Sequence, residues 1–268
     1  VANDWIANRS SIAETTKIRP ELERVLAAHD SDEARDALGL ADYIVKRSNW
    51  MIGGDGWAYD IGYGGLDHVI ANNEDINILV MDTEVYSNTG GQSSKSSAKG
   101  SLAKFTAAGK PSTKKKLAEL AMSYGHVYVA QVSHGANQAQ VIKAMMEAEA
   151  HQGPSIVIAY SPCVAHGIKG GLANTMNQAA LATQSGYWPI FRFLPENLEA
   201  GTNPLQMDGK EPDWDRYHEF LMNEDRYAQL YKINPEQAEE LLAANKNEAM
   251  RRYRQLKRMA ALDYSDEV

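Results

Sequence analysis

Three short apolar runs, INILVMD at 76–82, HVYVAQV at 126–132 and SIVIAYS at 155–161, recur with helix-period stretches between them. A run that is continuously apolar, without alternating, marks a strand buried on both faces. Strands separated by crossover helices pair in parallel. The pattern predicts strands at 49–53, 76–82, 126–132, 155–160 and 188–193. Helices are expected at about 60–71, 113–123, 137–150 and 172–184, with long loops at 86–112 and 161–171. The fold class expected is α/β, a mostly parallel sheet with helices on both faces. Residues 1–48 read as a helical lead-in, with Asp30-Ser31-Asp32 opening one helix. Residues 49–195 read as the α/β domain. Residues 196–268 read as an irregular Gly, Asn, Pro and Asp-rich segment and a charged helix from about 235 to 262. That tail, lacking a strand-like run, is expected to dock on a neighbouring surface and stay out of the sheet.

In open parallel sheets the ligand crevice lies beyond the carboxyl ends of the strands. Two loops leave such ends. Gly53-Gly54-Asp55-Gly56 follows the run ending at Ile52, and Asp82-Thr83-Glu84-Val85-Tyr86-Ser87-Asn88 closes the next strand. Asp55 offers a carboxylate, Thr83 a hydroxyl and Val85 a main-chain carbonyl, the hard oxygens that Mg²⁺ takes. The glycines allow a sharp turn and a close approach of backbone N–H groups to an anion at a helix N-terminus. A Gly-Asp-Gly after a strand is equally a common turn. The dinucleotide fingerprint fails, because Tyr59 stands where its third glycine belongs, and no G-x-x-x-x-G-K-[ST] occurs.

With 268 residues, 44% hydrophobic, the chain can bury one large core and carry an appendage. A net charge of −8 argues against a sequence-independent grip on nucleic acid. No apolar run reaches the length of a membrane span, and a single cysteine makes no internal disulfide. A reducing, cytoplasmic setting without membrane or nucleic-acid partners is expected. Position 1 is Val and the opening stretch is polar, with no signal-peptide core, so the chain reads as a piece of something longer.

IGGDGWAYDIGYGGLDHV together with LVMDTEVYSNTGGQSSKSS closely resembles the thiamine-diphosphate domain of pyruvate:ferredoxin (flavodoxin) oxidoreductases, and the similarity continues to about residue 193. Thiamine enzymes in general carry Asn-Asn some 24 to 30 residues after GDG; Asp82-Thr83 is the version this family uses. The resemblance implies Mg²⁺ on Asp55, Thr83 and the Val85 carbonyl. It also implies a cofactor lined by Gly54, Asp55, Gly56, Trp57, Thr83, Glu84, Val85, Tyr86, Ser87 and Asn88. Asn88 would be the catalytic residue, its amide placed to stabilise charge on an oxygen of pyruvate. Without the resemblance, Asn88 is a turn residue before Thr89-Gly90-Gly91. The implied reaction takes pyruvate, CoA and oxidised ferredoxin or flavodoxin to acetyl-CoA, CO₂ and reduced carrier. Upstream domains would supply the glutamate for the aminopyrimidine and the contacts to the substrate carboxylate, in an enzyme that is usually a homodimer.

Cys163, in Ser161-Pro162-Cys163-Val164-Ala165-His166, reads from its residues alone as a small buried hydrophobe, or as a nucleophile paired with His166. The resemblance makes it the fourth ligand of a [4Fe-4S] cluster whose other three cysteines lie outside this chain. Lys95, Lys99, Lys104, Lys110, Lys114, Lys115 and Lys116 read as a solvated surface, or as contacts for CoA phosphates or an acidic ferredoxin. The histidines are read as structural or surface groups. Alternatives are the same domain from a pyruvate:NADP oxidoreductase, a non-oxidative thiamine decarboxylase, which Cys163 disfavours, and a non-catalytic scaffold.

Overall fold

The computed structural model describes residues 1–265. The chain divides into two compact units, Val1–Asn49 and a second that begins at Trp50. The first holds α1 (Ala2–Asn8), α2 (Ile12–Ala28) and α3 (Asp32–Gly39). Two serines cap it. Ser11 accepts from the Glu14 N–H at 3.2 Å, and Ser31 from the Ala34 N–H at 3.1 Å, where Asp30-Ser31-Asp32 is expected to open a helix. Its interior contains Thr15, Leu22, Ala34 and Ile44.

The described residues of the second unit form six strands. These are β1 (Trp50–Gly54), β2 (Asn77–Asp82), β3 (Tyr128–Val132), β4 (Ser155–Tyr160), β5 (Phe191–Phe193) and β6 (Leu205–Met207), in the order β1-β2-β4-β3-β5-β6. The first four are parallel; β5 runs antiparallel to β3, and β6 antiparallel to β5. Register explains the continuous apolar runs. Ile78 pairs with Ile156, which pairs with Val129, and the three join the larger core. One residue along, Leu79, Val157 and Ala130 align and face the second core. Both faces of these strands are therefore covered, and polar alternation has nowhere to appear.

Helices α4 (Tyr63–Ala71), α5 (Leu117–Met122) and α7 (Thr175–Gln184) pack into the larger core, and α6 (Gln138–Ala150) covers the other face with Ala144 and Ala148. Short helices α8 (Glu196–Glu199), α9 (Tyr217–Met222), α10 (Asp225–Ala228) and α11 (Leu230–Ile233) lead to α12 (Pro235–Met259). The region after 195 departs from the expectation. β6 joins the sheet, and Ala238, Leu242 and Leu256 of α12 enter the main core. A three-residue strand carries no detectable run, which is why its sequence gives no sign of it.

The stretch from 56 also differs from a plain helix. Gly56–Ile61 is one π-helical turn, closed by a 2.8 Å bond from the Gly62 N–H to the Trp57 carbonyl. The Trp57 indole lies against backbone on two sides: a Cβ at Gly53 would come within 2.4 Å of its ring, and one at Gly62 within 2.2 Å. Such wide turns are rare and are frequently found at functional sites.

Candidate cofactor site

Parallel pairing of Gly54 with Met81 ends β1 and β2 side by side, so Asp55 leaves the sheet next to Asp82 and Thr83. The three oxygens expected to bind a metal meet there. Thr83 Oγ1 lies 2.7 Å from Asp55 Oδ1 and 2.8 Å from the Val85 carbonyl. One hydroxyl proton serves only one of those acceptors at a time. Neighbouring ligands of an octahedral ion with bonds of about 2.1 Å stand about 3 Å apart, close to this spacing. Asp55 is only 1% exposed, and its second oxygen accepts from Ser94 Oγ at 2.6 Å. Burial, and then the charge of Asp82, push its carboxyl up to about 6. A buried carboxylate so destabilised is one that a cation would relieve. Among the described residues no group of three or more His, Cys, Asp or Glu side chains could hold a metal. One carboxylate with a hydroxyl and a carbonyl suits Mg²⁺, which keeps its other positions for phosphate and water.

Behind this point lies a buried ionic network that sequence reasoning missed. Asp82 Oδ1 accepts the Glu84 N–H at 3.0 Å and the Ser96 hydroxyl; Oδ2 accepts Tyr59 OH at 2.7 Å and Lys114 Nζ at 2.8 Å. The Glu84 carboxylate accepts from Lys114 at 2.8 Å, Tyr187 OH at 2.6 Å and Arg226 Nη2 at 2.8 Å. Burial alone would raise this carboxyl, but Lys114 and Arg226 outweigh it and hold it at about 2. Arg226 also donates to Glu224 at 2.6 Å. Glu84 is therefore committed to the protein interior, and only its main chain is left to border a cofactor.

The lysine run is a solvated surface only in part: Lys95 and Lys104 are exposed, and the others are buried or half-buried. Lys110 is 5% exposed and donates to the carbonyls of Ser94 and Ser97, and burial pulls its ammonium down to about 8. Lys114 fills the network, Lys99 pairs with Glu248 at 2.6 Å, and Lys115 lies over the Tyr63 ring. Spacing alone could not distinguish these from exposed charges. The available signal was Asp82 and Glu84 at the end of a buried strand, which require nearby cations.

The remaining candidate residues divide. Tyr86 packs on Gly56, where a Cβ would sit 2.4 Å from its ring, so this glycine makes room for an aromatic side chain. Ser87 and Asn88 are exposed in a turn closed by the Gly91 N–H to the Tyr86 carbonyl at 2.9 Å. Cys163 is half-buried, and burial raises its thiol. It follows β4, which pairs with β2 through Asp82 and Tyr160, so it emerges at the same end of the sheet as Thr83. His166 is fully buried, with Nε2 2.7 Å from the Thr83 carbonyl, where a ring nitrogen can only donate.

Comparison with known proteins adds to this geometry. The family described as thiamine pyrophosphate enzyme, C-terminal TPP binding domain, matches residues 37–159. Pyruvate-flavodoxin oxidoreductase of Klebsiella pneumoniae is 51% identical over 82% of this chain and 19% of its own length. Pyruvate:ferredoxin oxidoreductase of Moorella thermoacetica is 45% identical over 96% of this chain and 22% of its own. The chain thus spans about a fifth of the length of these relatives. A solved 2-oxoglutarate:ferredoxin oxidoreductase from Magnetococcus marinus aligns at 22% identity over 63% of this chain and 50% of that one, with a TM-score of 0.42. With its matched domain and its high identity to those two oxidoreductases, the chain belongs to the pyruvate:ferredoxin and pyruvate-flavodoxin oxidoreductase family as a thiamine pyrophosphate-binding, domain-length part.

Proposed function

We propose that this chain holds thiamine diphosphate and Mg²⁺ for an oxidoreductase that converts pyruvate, CoA and oxidised ferredoxin or flavodoxin to acetyl-CoA, CO₂ and reduced carrier. The observation that carries the reading is the meeting of Asp55, Thr83 and Val85 oxygens within 2.8 Å steps. In this reading those three atoms hold Mg²⁺ against the diphosphate. Gly54, Gly56, Trp57 and the main chain from Thr83 to Asn88 border the cofactor. When bound, thiamine diphosphate supplies a nucleophilic carbon for the keto group and retains the electrons left by decarboxylation.

In this reading Asn88, exposed at its turn, donates its amide to an oxygen of bound pyruvate and stabilises charge where it develops. Cys163 Sγ supplies one thiolate of a [4Fe-4S] cluster, which normally needs four. As the only cysteine of this sequence it requires three from other parts of the enzyme. The same parts contribute the aminopyrimidine and substrate-carboxylate contacts, in a cytoplasmic homodimer. A pyruvate:NADP version is the second reading, favoured by 43% identity to the mitochondrial pyruvate dehydrogenase [NADP(+)] of Euglena gracilis.

Isothermal titration of the chain with thiamine diphosphate, with and without Mg²⁺, tests the proposal. Saturable heat that depends on the metal is expected. Absence of heat with Mg²⁺ present would leave a scaffold that keeps the fold without the ligand.

A further inference from the structure

Glu84 stands between the two ligand residues with a backbone φ of +56°, a left-handed conformation that side chains other than glycine and asparagine rarely adopt. This turn is what lets the Thr83 hydroxyl and the Val85 carbonyl, two residues apart, face the same point. Glutamate itself does not favour it, having no short polar side chain to bond its own backbone. One restraint is local, from Asp82 two residues back, and the others come from elsewhere in the fold. The Glu84 N–H is held by Asp82 and its carbonyl by Ser97 Oγ, while the Thr83 carbonyl is held by His166. The Glu84 carboxylate is drawn inward by Lys114, Tyr187 and Arg226.

We propose that Arg226, with Lys114, is a positioning residue for the metal: through the Glu84 carboxylate it holds the left-handed turn that aims Thr83 Oγ1 and Val85 O at Asp55. The inference rests on the reading that a divalent ion binds there. Arg226 lies in α10, so the region after residue 195 is made part of the cofactor site without touching the cofactor. Arg226 is itself fixed by Glu224, which also accepts from Gln178 at 2.9 Å. Each charge that pulls on Glu84 is thus anchored in turn.

The test compares Glu84→Gly with Glu84→Ala. Both lose the carboxylate and leave Lys114 and Arg226 without it; they differ in the ease of adopting a positive φ. Apparent Mg²⁺ affinity in thiamine diphosphate titrations, read on folded protein, should be roughly tenfold weaker for Ala than for Gly. A second pair guards against misfolding. Arg226→Lys, which keeps a cation against Glu84, should stay nearer the wild-type Mg²⁺ half-saturation than Arg226→Gln. Equal Mg²⁺ half-saturation across the folded variants and wild type would overturn the inference and leave the functional reading intact. A wild-type chain showing no Mg²⁺-dependent binding would instead defeat that reading, and this inference with it.

Discussion

Asp55→Asn is expected to weaken Mg²⁺-dependent thiamine diphosphate binding by ~100-fold or more, because the change removes the carboxylate charge from a hard-cation site. The same change should not weaken the metal-free fold. The Asp55 carboxyl, raised to about 6, favours its neutral form in the folded state. The sign follows from linkage. A carboxyl with a folded pKa above its unfolded value contributes stability that is complete below the unfolded value and lost as pH rises through about 6. At pH 7 the wild type has lost that contribution, and the amide, which never ionises, has not. Denaturation in chelator should therefore show Asp55→Asn at least as stable as wild type at pH 7, with the relative gain shrinking toward pH 4. Severe destabilisation of the variant would make Asp55 a structural residue.

Arg226→Met carries the largest stability effect. Arg226 is 6% exposed and neutralises both Glu84 and Glu224, each 2% exposed or less. Removing one partner of a buried ion pair leaves uncompensated charge, at a cost of about 3–5 kcal/mol. For a chain of this size that corresponds to a fall in Tm of roughly 6–20 °C. The gap should depend on pH. Glu84, held at about 2 against an ordinary 4.5, contributes stability that is present above the ordinary value and lost as pH falls toward 2. The difference between wild type and variant should thus be widest near neutrality and narrow below about pH 4.5. Urea unfolding in chelator at pH 7 and pH 4 measures it, and equal gaps at the two pH values would contradict the network's role.

What could be read from the residues follows their local character. Strands β2, β3 and β4 are legible because parallel strands covered on both faces must be continuously apolar. Leu205-Gln206-Met207 gives no such signal, and its place beside β5 is decided by tertiary pairing. Asp55, Thr83 and Val85 were identifiable as donors, but only the Gly54–Met81 register brings residues 28 positions apart into hydrogen-bond distance. Arg226, 142 residues from Glu84, was out of reach: nothing in a sequence says which distant cation answers a buried acid. Lys99 and Lys114 were misread for the same reason, since a charge looks solvated until its carboxylate partner is located. Gly53 and Gly56 have a further use that the residues alone did not announce: Trp57 and Tyr86 occupy the space that a Cβ would take.

Crystallography of the chain soaked with thiamine diphosphate and Mg²⁺ tests the central claim most directly. One octahedral ion is expected, bonded at about 2.0–2.1 Å to an Asp55 carboxylate oxygen, Thr83 Oγ1 and the Val85 carbonyl, with diphosphate oxygens among its other ligands. A cofactor bound with its metal elsewhere, and the Thr83 hydroxyl still donating to Asp55, would contradict that claim.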